Sequence, residues 1–250
     1  RAPDVSSPKM IFSGGSIVPI DIVRRTENEF GVKLIIGYGL TESSPAITHT
    51  RPGDNIEDKS ETIGKGIPLV EVKIVDPATG EIQPIGEPGE LCARGLNVMM
   101  GYYDMPEATA ETVDADGWLH TGDLCTMDER GYCRVTGRLK DMIIRGGENI
   151  YPRQIEDMLF AHPAIADAAV FGVPDDYWGE QVAAVVSFRN DATVLSGEML
   201  ANFICEKLSR HKVPRHWFIL NDMPLTPSGK VQKFRLTEMF ANGELEAGRI

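Results

Sequence analysis

The loop Gly37–Glu42, of sequence GYGLTE, combines residue types that could bind a phosphorylated ligand. Its glycines allow a ligand to approach the backbone closely, Tyr38 offers an aromatic face, and Thr41 offers a hydroxyl. The carboxylate of Glu42 could hold Mg²⁺. The same residues also fit an ordinary strand-to-helix turn in which Glu42 stabilises the helix N-terminus through the dipole. On this loop alone, the ordinary turn is the favoured interpretation.

Two further stretches carry candidate polar groups. The stretch Gly117–Asp123 (GWLHTGD) ends in a carboxylate that could accept both hydroxyls of a ribose, although an Asp after a Gly commonly caps backbone N–H groups. We interpret His120 as a packed turn histidine. The stretch Pro224–Lys230 (PLTPSGK) would hold the Lys230 ammonium at the rim of a tight loop, where a lone lysine is usually an ordinary solvent-facing charge. Neither stretch identifies a site by itself.

The elements predicted around GYGLTE place two loops at one edge of a parallel sheet. A strand over residues 9–12 leads into Ser13–Ser16 (SGGS), and a helix over residues 19–30 ends at Gly31. A second strand over residues 32–36 leads into GYGLTE. A strand–helix–strand succession implies a right-handed crossover, so both loops should lie at the edge where α/β sheets bind ligands.

From residue 52 to residue 136 the chain changes to short alternating strands with turn signals. Strands are predicted at residues 70–75 and 90–94, and a hairpin turns at Asp128–Gly131. This pattern predicts a small β-barrel or a curled sheet.

The stretch Gly131–Tyr151 (GYCRVTGRLKDMIIRGGENIY) is where the chain divides in two. After it, a helix begins at Pro152, and buried strands are predicted over residues 168–172 and 182–188. A second helical stripe, interpreted as core, consists of Met199, Leu200, Phe203, Ile204 and Leu208.

The predicted fold is therefore α/β plus a β-barrel segment, followed by a small α+β domain. A chain of 250 residues, 42% of them hydrophobic, can bury two modest cores.

Charge and cysteine usage exclude several classes of function. A net charge of -12 disfavours broad contact with nucleic acid or anionic membrane. The cysteines show no CxxC pairing, so we expect them to be reduced and mostly buried, with neither a disulfide framework nor zinc. No apolar run is long enough to cross a bilayer. We expect a soluble protein of the cytoplasm or another reducing compartment. The cysteines are Cys92, Cys125, Cys133 and Cys205.

Six motifs in order resemble the C-terminal half of the adenylate-forming (AMP-binding) superfamily. They are SGGS, YGLTE, GELCARGLNVMMGYY, GWLHTGD, GYCRVTGRLKDMIIRGGENIYP and PLTPSGK. The sequence looks like an acyl-CoA synthetase, with the medium-chain and family member 2 type as the nearest branch. Six ordered motifs are more specific than any one of them, and together they favour the functional interpretation of each loop.

The resemblance implies a nucleotide site. Tyr38 would pack against the base, Thr41 would contact the α-phosphate, and Glu42 would bind Mg²⁺. Asp123 and Arg138 would hold the ribose. The full set implied for the nucleotide is Gly14, Gly15, Ser16, Tyr38, Gly39, Thr41, Asp123 and Arg138.

The resemblance also places the division of the chain at Leu139 and Lys140. Residues 1–139 would be the end of a large AMP-binding domain, with an α/β segment over 1–51 and a β-barrel-like subdomain over 52–139. Residues 140–250 would be a small mobile C-terminal domain. Lys140 falls at the hinge position, and Lys230 matches the lysine that bridges the acyl carboxylate and the α-phosphate. Thr41, Glu42 and Lys230 would be the catalytic residues. Coenzyme A would contact Arg145, Gly146, Gly147 and Glu148.

The activity implied is conversion of a fatty acid, ATP and coenzyme A to acyl-CoA, AMP and pyrophosphate through an acyl-adenylate. The family's phosphate-gripping loop, rich in Ser, Thr and Gly and ending in Pro-Lys, does not occur in this chain. We therefore expect a longer natural protein and little or no activity from this chain alone. Two alternatives stay open: an enzyme that loads a carrier protein or is a luciferase-like oxygenase, and a non-catalytic nucleotide-binding or interaction module.

Overall fold

A parallel strand pair opens the molecule. The computed structural model describes residues 7–15, 18–190, 192–227 and 229–250. Strands β1 (Met10–Gly14) and β2 (Lys33–Tyr38) are parallel, with helix α1 (Ile20–Phe30) between them. Gly31 ends α1 at a left-handed φ of 65°, which a glycine adopts without a Cβ penalty. The predicted strand–helix–strand unit is confirmed.

Two short strands complete this first sheet, and an ion pair holds its helices. Strands β3 (Thr48–His49) and β4 (Lys65–Gly66) follow β2 in the order β1-β2-β3-β4, with α2 (Ile56–Glu61) between them. The fully buried Nζ of Lys59 lies 2.6 Å from Oε1 of Glu27. That oxygen also accepts the Leu34 N–H at 3.0 Å. The ion pair therefore joins α2 to both α1 and β2.

The second sheet is antiparallel, and its core is separate from that of the first. It consists of β5 (Val70–Val75), β6 (Gly89–Gly95), β7 (Leu119–Met127) and β8 (Cys133–Arg138), in that order, with α3 (Pro106–Thr112) between β6 and β7. Its buried face includes Ile74, Leu91 and Leu119, which pack with Ile47.

The predicted β-barrel is wrong. Among the strands of the described residues, β5 pairs with β6 and β8 pairs with β7, but no ladder joins β5 to β8. Four strands are too few to close around filled side-chain layers, for which about eight are typical. The apolar face is instead covered from one side by residues such as Ile47 and Ile63.

The chain divides between Leu139 and Lys140 into two compact units. The second unit has one five-stranded sheet, in which β10, β9, β12 and β11 are neighbours and β13 pairs with β12 in parallel. Its elements are β9 (Ile143–Arg145), β10 (Glu148–Ile150), α4 (Pro152–Phe160), β11 (Ile165–Asp175), β12 (Gly179–Phe188), α5 (Gly197–Cys205), β13 (His216–Ile219) and α6 (Lys233–Ala241).

Both faces of this sheet are buried, as the alternation along β12 requires. Val182, Ala184 and Val186 contribute to one core cluster, whereas Ala183 and Val185 contribute to another. Helices α4 and α5 cover the first face with Ile155, Leu159, Leu200 and Ile204, and α6 covers the second with Leu236.

The helical stripe predicted as core is only partly core. Leu200 and Ile204 are buried one turn apart, but Met199 is 55% exposed because it lies beside that stripe. Leu208 lies beyond the end of α5 at Cys205 but packs against the same core, as predicted. None of the described helices is both long enough and apolar enough to span a membrane.

Candidate functional site

The GYGLTE stretch begins inside β2, whose last residues are Gly37 and Tyr38, and presents Thr41 and Glu42 after the strand. Residues Thr41–Ser43 form a single 3-10 turn, and the buried Ser43 hydroxyl closes it by accepting the Leu40 N–H at 2.9 Å. A Cβ at Gly39 would collide with the Pro45 backbone, so glycine is required there. The helix assumed in the ordinary-turn interpretation is absent: the described chain continues after this turn into β3.

Glu42 has a partner that the sequence did not reveal. The Tyr102 hydroxyl donates to Oε1 of Glu42 at 2.7 Å, and the Met99 N–H donates to the Glu42 carbonyl at 2.8 Å. The Tyr102 N–H in turn donates to Thr109 Oγ1 in α3 at 2.9 Å. The bond to Glu42 raises the pKa of Tyr102. Tyr102 therefore orients one carboxylate oxygen of Glu42 and leaves the other available.

Asp123, Tyr38 and Arg138 form one polar cluster. The Tyr38 hydroxyl donates to Oδ2 of Asp123 at 2.7 Å, and Nε of Arg138 lies 3.3 Å from Oδ1. Asp123 and Arg138 are directly opposed on β7 and β8. Burial, and then the Asp123 charge, raise the pKa of Tyr38, so its hydroxyl stays a donor. Each carboxylate oxygen accepts about two hydrogen bonds, so Asp123 keeps room for two ligand hydroxyls.

Gly14, the last residue of β1, and Gly15, which follows it, lie beside this loop. Gly14 is paired with Gly37 across the parallel strands, and a Cβ on Gly14 would come within 2.5 Å of the Gly37 carbonyl oxygen. Gly15 has a left-handed φ of 81°. Both post-strand loops therefore lie at one sheet edge, as predicted. Ser16 lies outside the described residues.

His120 lies in strand β7 and not in a turn, because the strand begins at Leu119. Its Nδ1 is 2.8 Å from Oε2 of the buried Glu90 and 3.5 Å from Sγ of the buried Cys92. The other Glu90 oxygen accepts the Gly122 N–H at 2.9 Å. Glu90 and its contacts were missed in the sequence, where only its place in the GELCARG motif marks it.

Lys230 is exposed on a loop that its own backbone closes. Thr226 and Lys230 exchange two bonds: the Thr226 N–H donates to the Lys230 carbonyl at 2.8 Å, and Thr226 Oγ1 accepts the Lys230 N–H at 3.0 Å. Leu225 and Val231 form a bridge behind them. Lys230 is therefore an exposed residue of a tight loop.

The glycine pair of the second unit forms the hairpin turn between β9 and β10. Gly146 and Gly147 have φ values of 60° and 84°, the left-handed pair that a two-residue hairpin turn requires. A Cβ on Gly146 would lie 2.5 Å from the Trp178 ring. Arg145 stacks over Trp178 at 4.5 Å and donates to Oε1 of Gln181 at 2.7 Å. Turn geometry and Trp178 together explain these glycines without any ligand.

The remaining two residues predicted for the second unit are exposed. Glu148 is the first residue of β10, directly after the glycine turn. Lys140 is the central residue of a 3-10 turn over Leu139–Asp141.

Two family models match the chain. Residues 1–103 match the AMP-binding enzyme family, and residues 154–230 match the AMP-binding enzyme C-terminal domain. "Putative acyl-CoA synthetase YngI" of Bacillus subtilis is 47% identical over 94% of this chain and 43% of its own length. The human mitochondrial medium-chain acyl-CoA ligase ACSF2 is 42% identical over 90% of this chain and 36% of its own length. The chain therefore spans less than half of either relative.

Solved structures of related enzymes are also similar to this chain. The ATP-bound MatB structure from Rhodopseudomonas palustris has a TM-score of 0.83 at 34% identity, covering 92% of this chain and 45% of its own. The o-succinylbenzoate-CoA synthetase of Bacillus subtilis, in complex with its acyl-adenylate, has a TM-score of 0.78 at 33% identity, covering 94% and 47%. These matches and the six motifs together show that the chain belongs to the AMP-binding, adenylate-forming enzyme superfamily and corresponds to its C-terminal portion.

Proposed function

We propose that the protein is an ATP-dependent acyl-CoA ligase that works through a bound acyl-adenylate. The observation that supports this most directly is the buried Asp123 carboxylate, held by Tyr38 and Arg138 with acceptor capacity left for two hydroxyls. A ribose offers such a pair of hydroxyls. Acyl-CoA ligase names among the relatives, and an acyl-adenylate in one similar structure, support the same reaction.

In the first half-reaction, a carboxylate oxygen of the fatty acid attacks the α-phosphorus of ATP. The bond to the β-phosphate oxygen breaks, and pyrophosphate leaves with the electron pair. Thr41 is assigned to the α-phosphate and Lys230 to the meeting point of the two anions. A compact ammonium lowers the barrier there because negative charge crowds in the transition state. Gly14, Gly15, Ser16 and Gly39 are assigned to the walls of the nucleotide site.

The residues present fit a magnesium ion at Glu42. Mg²⁺ is usually held by one or two carboxylates together with substrate phosphates, and Glu42 has one oxygen that Tyr102 leaves available. When bound, the ion would neutralise polyphosphate charge as pyrophosphate departs. Glu42 would hold it, and Tyr102 would keep the Glu42 carboxylate in place.

In the second half-reaction, the thiolate of coenzyme A attacks the acyl carbonyl, and AMP leaves with the oxygen that joined it to the acyl group. We assign Lys140 as the pivot between the half-reactions. Arg145, Gly146, Gly147 and Glu148 are assigned to coenzyme A. The medium-chain substrate rests on the printed name of the ACSF2 relatives.

The test is product analysis of the intact natural protein with ATP, Mg²⁺ and fatty acids of graded length. We expect acyl-CoA, AMP and pyrophosphate in equal amounts, with the highest kcat/KM for medium chains. Acyl transfer to a carrier protein, or oxygen consumption, in place of thioester formation would favour the first alternative class. Nucleotide binding without turnover of any acid would favour a non-catalytic module.

A further inference from the structure

The segment that carries Asp123 is a bulge in the second sheet. Glu90 pairs with Leu124 and Cys92 pairs with His120, so only Leu91 of β6 faces the three β7 residues between them. The middle of these three, Gly122, has a left-handed φ of 68°. Such a bulge leaves N–H groups without strand partners and re-aims the side chains beside it.

Glu90 and Leu91 of β6, together with Thr121 of β7 itself, satisfy the groups that the bulge frees. Oε1 of Glu90 accepts the Gly122 N–H at 2.9 Å. The Thr121 hydroxyl donates to the Leu91 carbonyl at 2.7 Å and accepts the Asp123 N–H at 3.2 Å. The backbone on the N-terminal side of Asp123 is therefore tied to β6 by two consecutive residues.

The carboxylate of Glu90 is held on its other side by His120. The Glu90 side chain is 8% exposed, and its Oε2 lies 2.8 Å from Nδ1 of His120. Nε2 of the same ring faces Oδ2 of Asp114 at 3.7 Å. Asp114 accepts the N–H groups of Asp116 and Trp118 at 3.0 and 2.8 Å. A buried carboxylate of this kind is stable only when its acceptor sites are filled.

Glu90, Cys92 and His120 also have the residue types of a metal site, with ligand atoms within 4.8 Å of one another. The 2.8 Å between Nδ1 and Oε2 is a hydrogen-bond distance, whereas two such ligands on a tetrahedral zinc stand about 3.3 Å apart. Burial, and then the Glu90 charge, raise the pKa of Cys92 to about 12, which disfavours the thiolate that a metal needs. The cluster is a hydrogen-bonded one.

We propose that Glu90 is a positioning residue for the nucleotide site: it fixes the Gly122 bulge so that Asp123 can accept ribose hydroxyls, and His120 holds Glu90 in place. The inference rests on the proposed function, which gives Asp123 its ligand. Glu90 acts through Gly122 and needs no contact with the substrate. Its effect should therefore be seen in how well the protein distinguishes nucleotides by their ribose.

The test compares ATP with 2′-deoxy-ATP in acyl-adenylate formation by the intact natural protein. We expect the unaltered protein to prefer ATP by about tenfold in kcat/KM, because a hydrogen bond to a carboxylate is lost with the hydroxyl. In Glu90→Leu the preference should fall to about twofold or less, through a higher KM for ATP with kcat little changed, since a ribose contact contributes equally to ground and transition states.

Three further variants make the test specific. Glu90→Gln keeps an acceptor for the Gly122 N–H and should retain most of the preference for ATP. His120→Ala removes a side chain that is 33% exposed, and it should show an intermediate preference even if Glu90→Leu does not fold. The control, Glu71→Leu, removes an exposed carboxylate that pairs with Arg94 on the neighbouring strand, and it should leave the preference unchanged.

Two results would overturn the inference. Activity with ATP and with 2′-deoxy-ATP could fall equally in Glu90→Leu and in His120→Ala, which would give Glu90 a role in stability alone. The unaltered protein could form adenylate without distinguishing the two nucleotides, which would remove the role of Asp123 while the proposed function stands. Absence of acid-dependent adenylation in the unaltered protein would instead overturn the proposed function.

Discussion

The loop that carries Lys230 is held by three backbone hydrogen bonds and by the Thr226 hydroxyl, which accepts the Lys230 N–H. The backbone position of Lys230 is therefore defined, while its exposed side chain keeps rotamer freedom. Such an arrangement suits an ammonium that is needed in one half-reaction and has to leave for the next. It favours a role in which charge, and not a fixed hydrogen-bond geometry, does the chemistry.

Lys230→Ala should abolish the first half-reaction and spare the second. In the intact protein we expect acid-dependent ATP–pyrophosphate exchange to fall by about 100-fold or more, because transition-state charge loses its partner. Thioester formation from supplied acyl-adenylate should continue at a near-normal rate. Lys230→Arg keeps the charge on a larger group, and its exchange rate should lie between those of the unaltered protein and Lys230→Ala. Equal losses in both half-reactions would contradict the assigned role.

Tyr102→Phe should weaken the response to magnesium. The substitution removes the hydroxyl that donates to Glu42 at 2.7 Å and leaves the ring in place. Partners of metal-binding side chains commonly affect metal affinity by about tenfold or more, so the Mg²⁺ concentration for half-maximal adenylation should rise by about tenfold.

The neighbouring residue gives the control for that measurement. Tyr103 is 97% exposed, and Tyr103→Phe should leave the magnesium response unchanged. An unaltered magnesium response in Tyr102→Phe would show that the Glu42 carboxylate needs no orientation from Tyr102.

At this scale the sequence predicted which residues are polar and near a loop, but not which of them touch. Tyr38, Asp123 and Arg138 could be chosen from their motifs, yet the bond between Tyr38 and Asp123 joins residues 85 positions apart. The contacts of Tyr102 with Glu42 and of Glu90 with Gly122 depend likewise on strand register and loop packing. Local periodicity carries no information on either.

Among the elements, the 3-10 turn over Leu139–Asp141 is the one where the two compact units divide, and it is the proposed hinge between the half-reactions. Lys140→Pro fixes φ at residue 140 and removes its N–H. If the backbone at this residue changes conformation between the half-reactions, adenylation should be spared. Thioester formation should fall by at least about tenfold, since misplacement by about 1 Å can cost about 100-fold.

The control for the hinge is Lys140→Ala, which removes the side chain and leaves the backbone free. We expect both half-reactions to stay within about threefold of normal, because an exposed side chain contributes little to stability. A normal second half-reaction in Lys140→Pro would remove the assignment of Lys140 as the pivot.

Elements with a local signal were predicted well, and those without one were not. The helix that begins at Pro152 and the strands β1 and β2 were predicted from caps, glycines and apolar spacing. Strand β11 instead runs from Ile165 to Asp175, beyond the predicted end at Gly172, because Pro174 is accommodated near the hairpin end opposite Glu180. The β-barrel prediction was wrong for a related reason, since closure of a barrel depends on pairing between strands that are distant in sequence.

On the scale of the whole chain, a net charge of -12 opposes the approach of anions. The proposed substrates ATP, fatty acid and coenzyme A are all anions, so the groups assigned to them, such as Arg138 and Lys230, would have to overcome the general field. Six ordered motifs were enough to predict the superfamily, and the family matches confirmed it. Chain length of the acid was not predictable, because no residue of the chain could be assigned to an acyl pocket.

The measurement that tests the central claim most directly follows the carboxylate oxygen of the substrate. The intact protein is given a medium-chain fatty acid labelled with a heavy oxygen isotope in its carboxylate, together with ATP, Mg²⁺ and coenzyme A, and the products are analysed by mass spectrometry. An acyl-adenylate route leaves one carboxylate oxygen on phosphorus when the thiolate expels AMP, so the label should appear in AMP. Label in inorganic phosphate, with formation of ADP, would contradict the account.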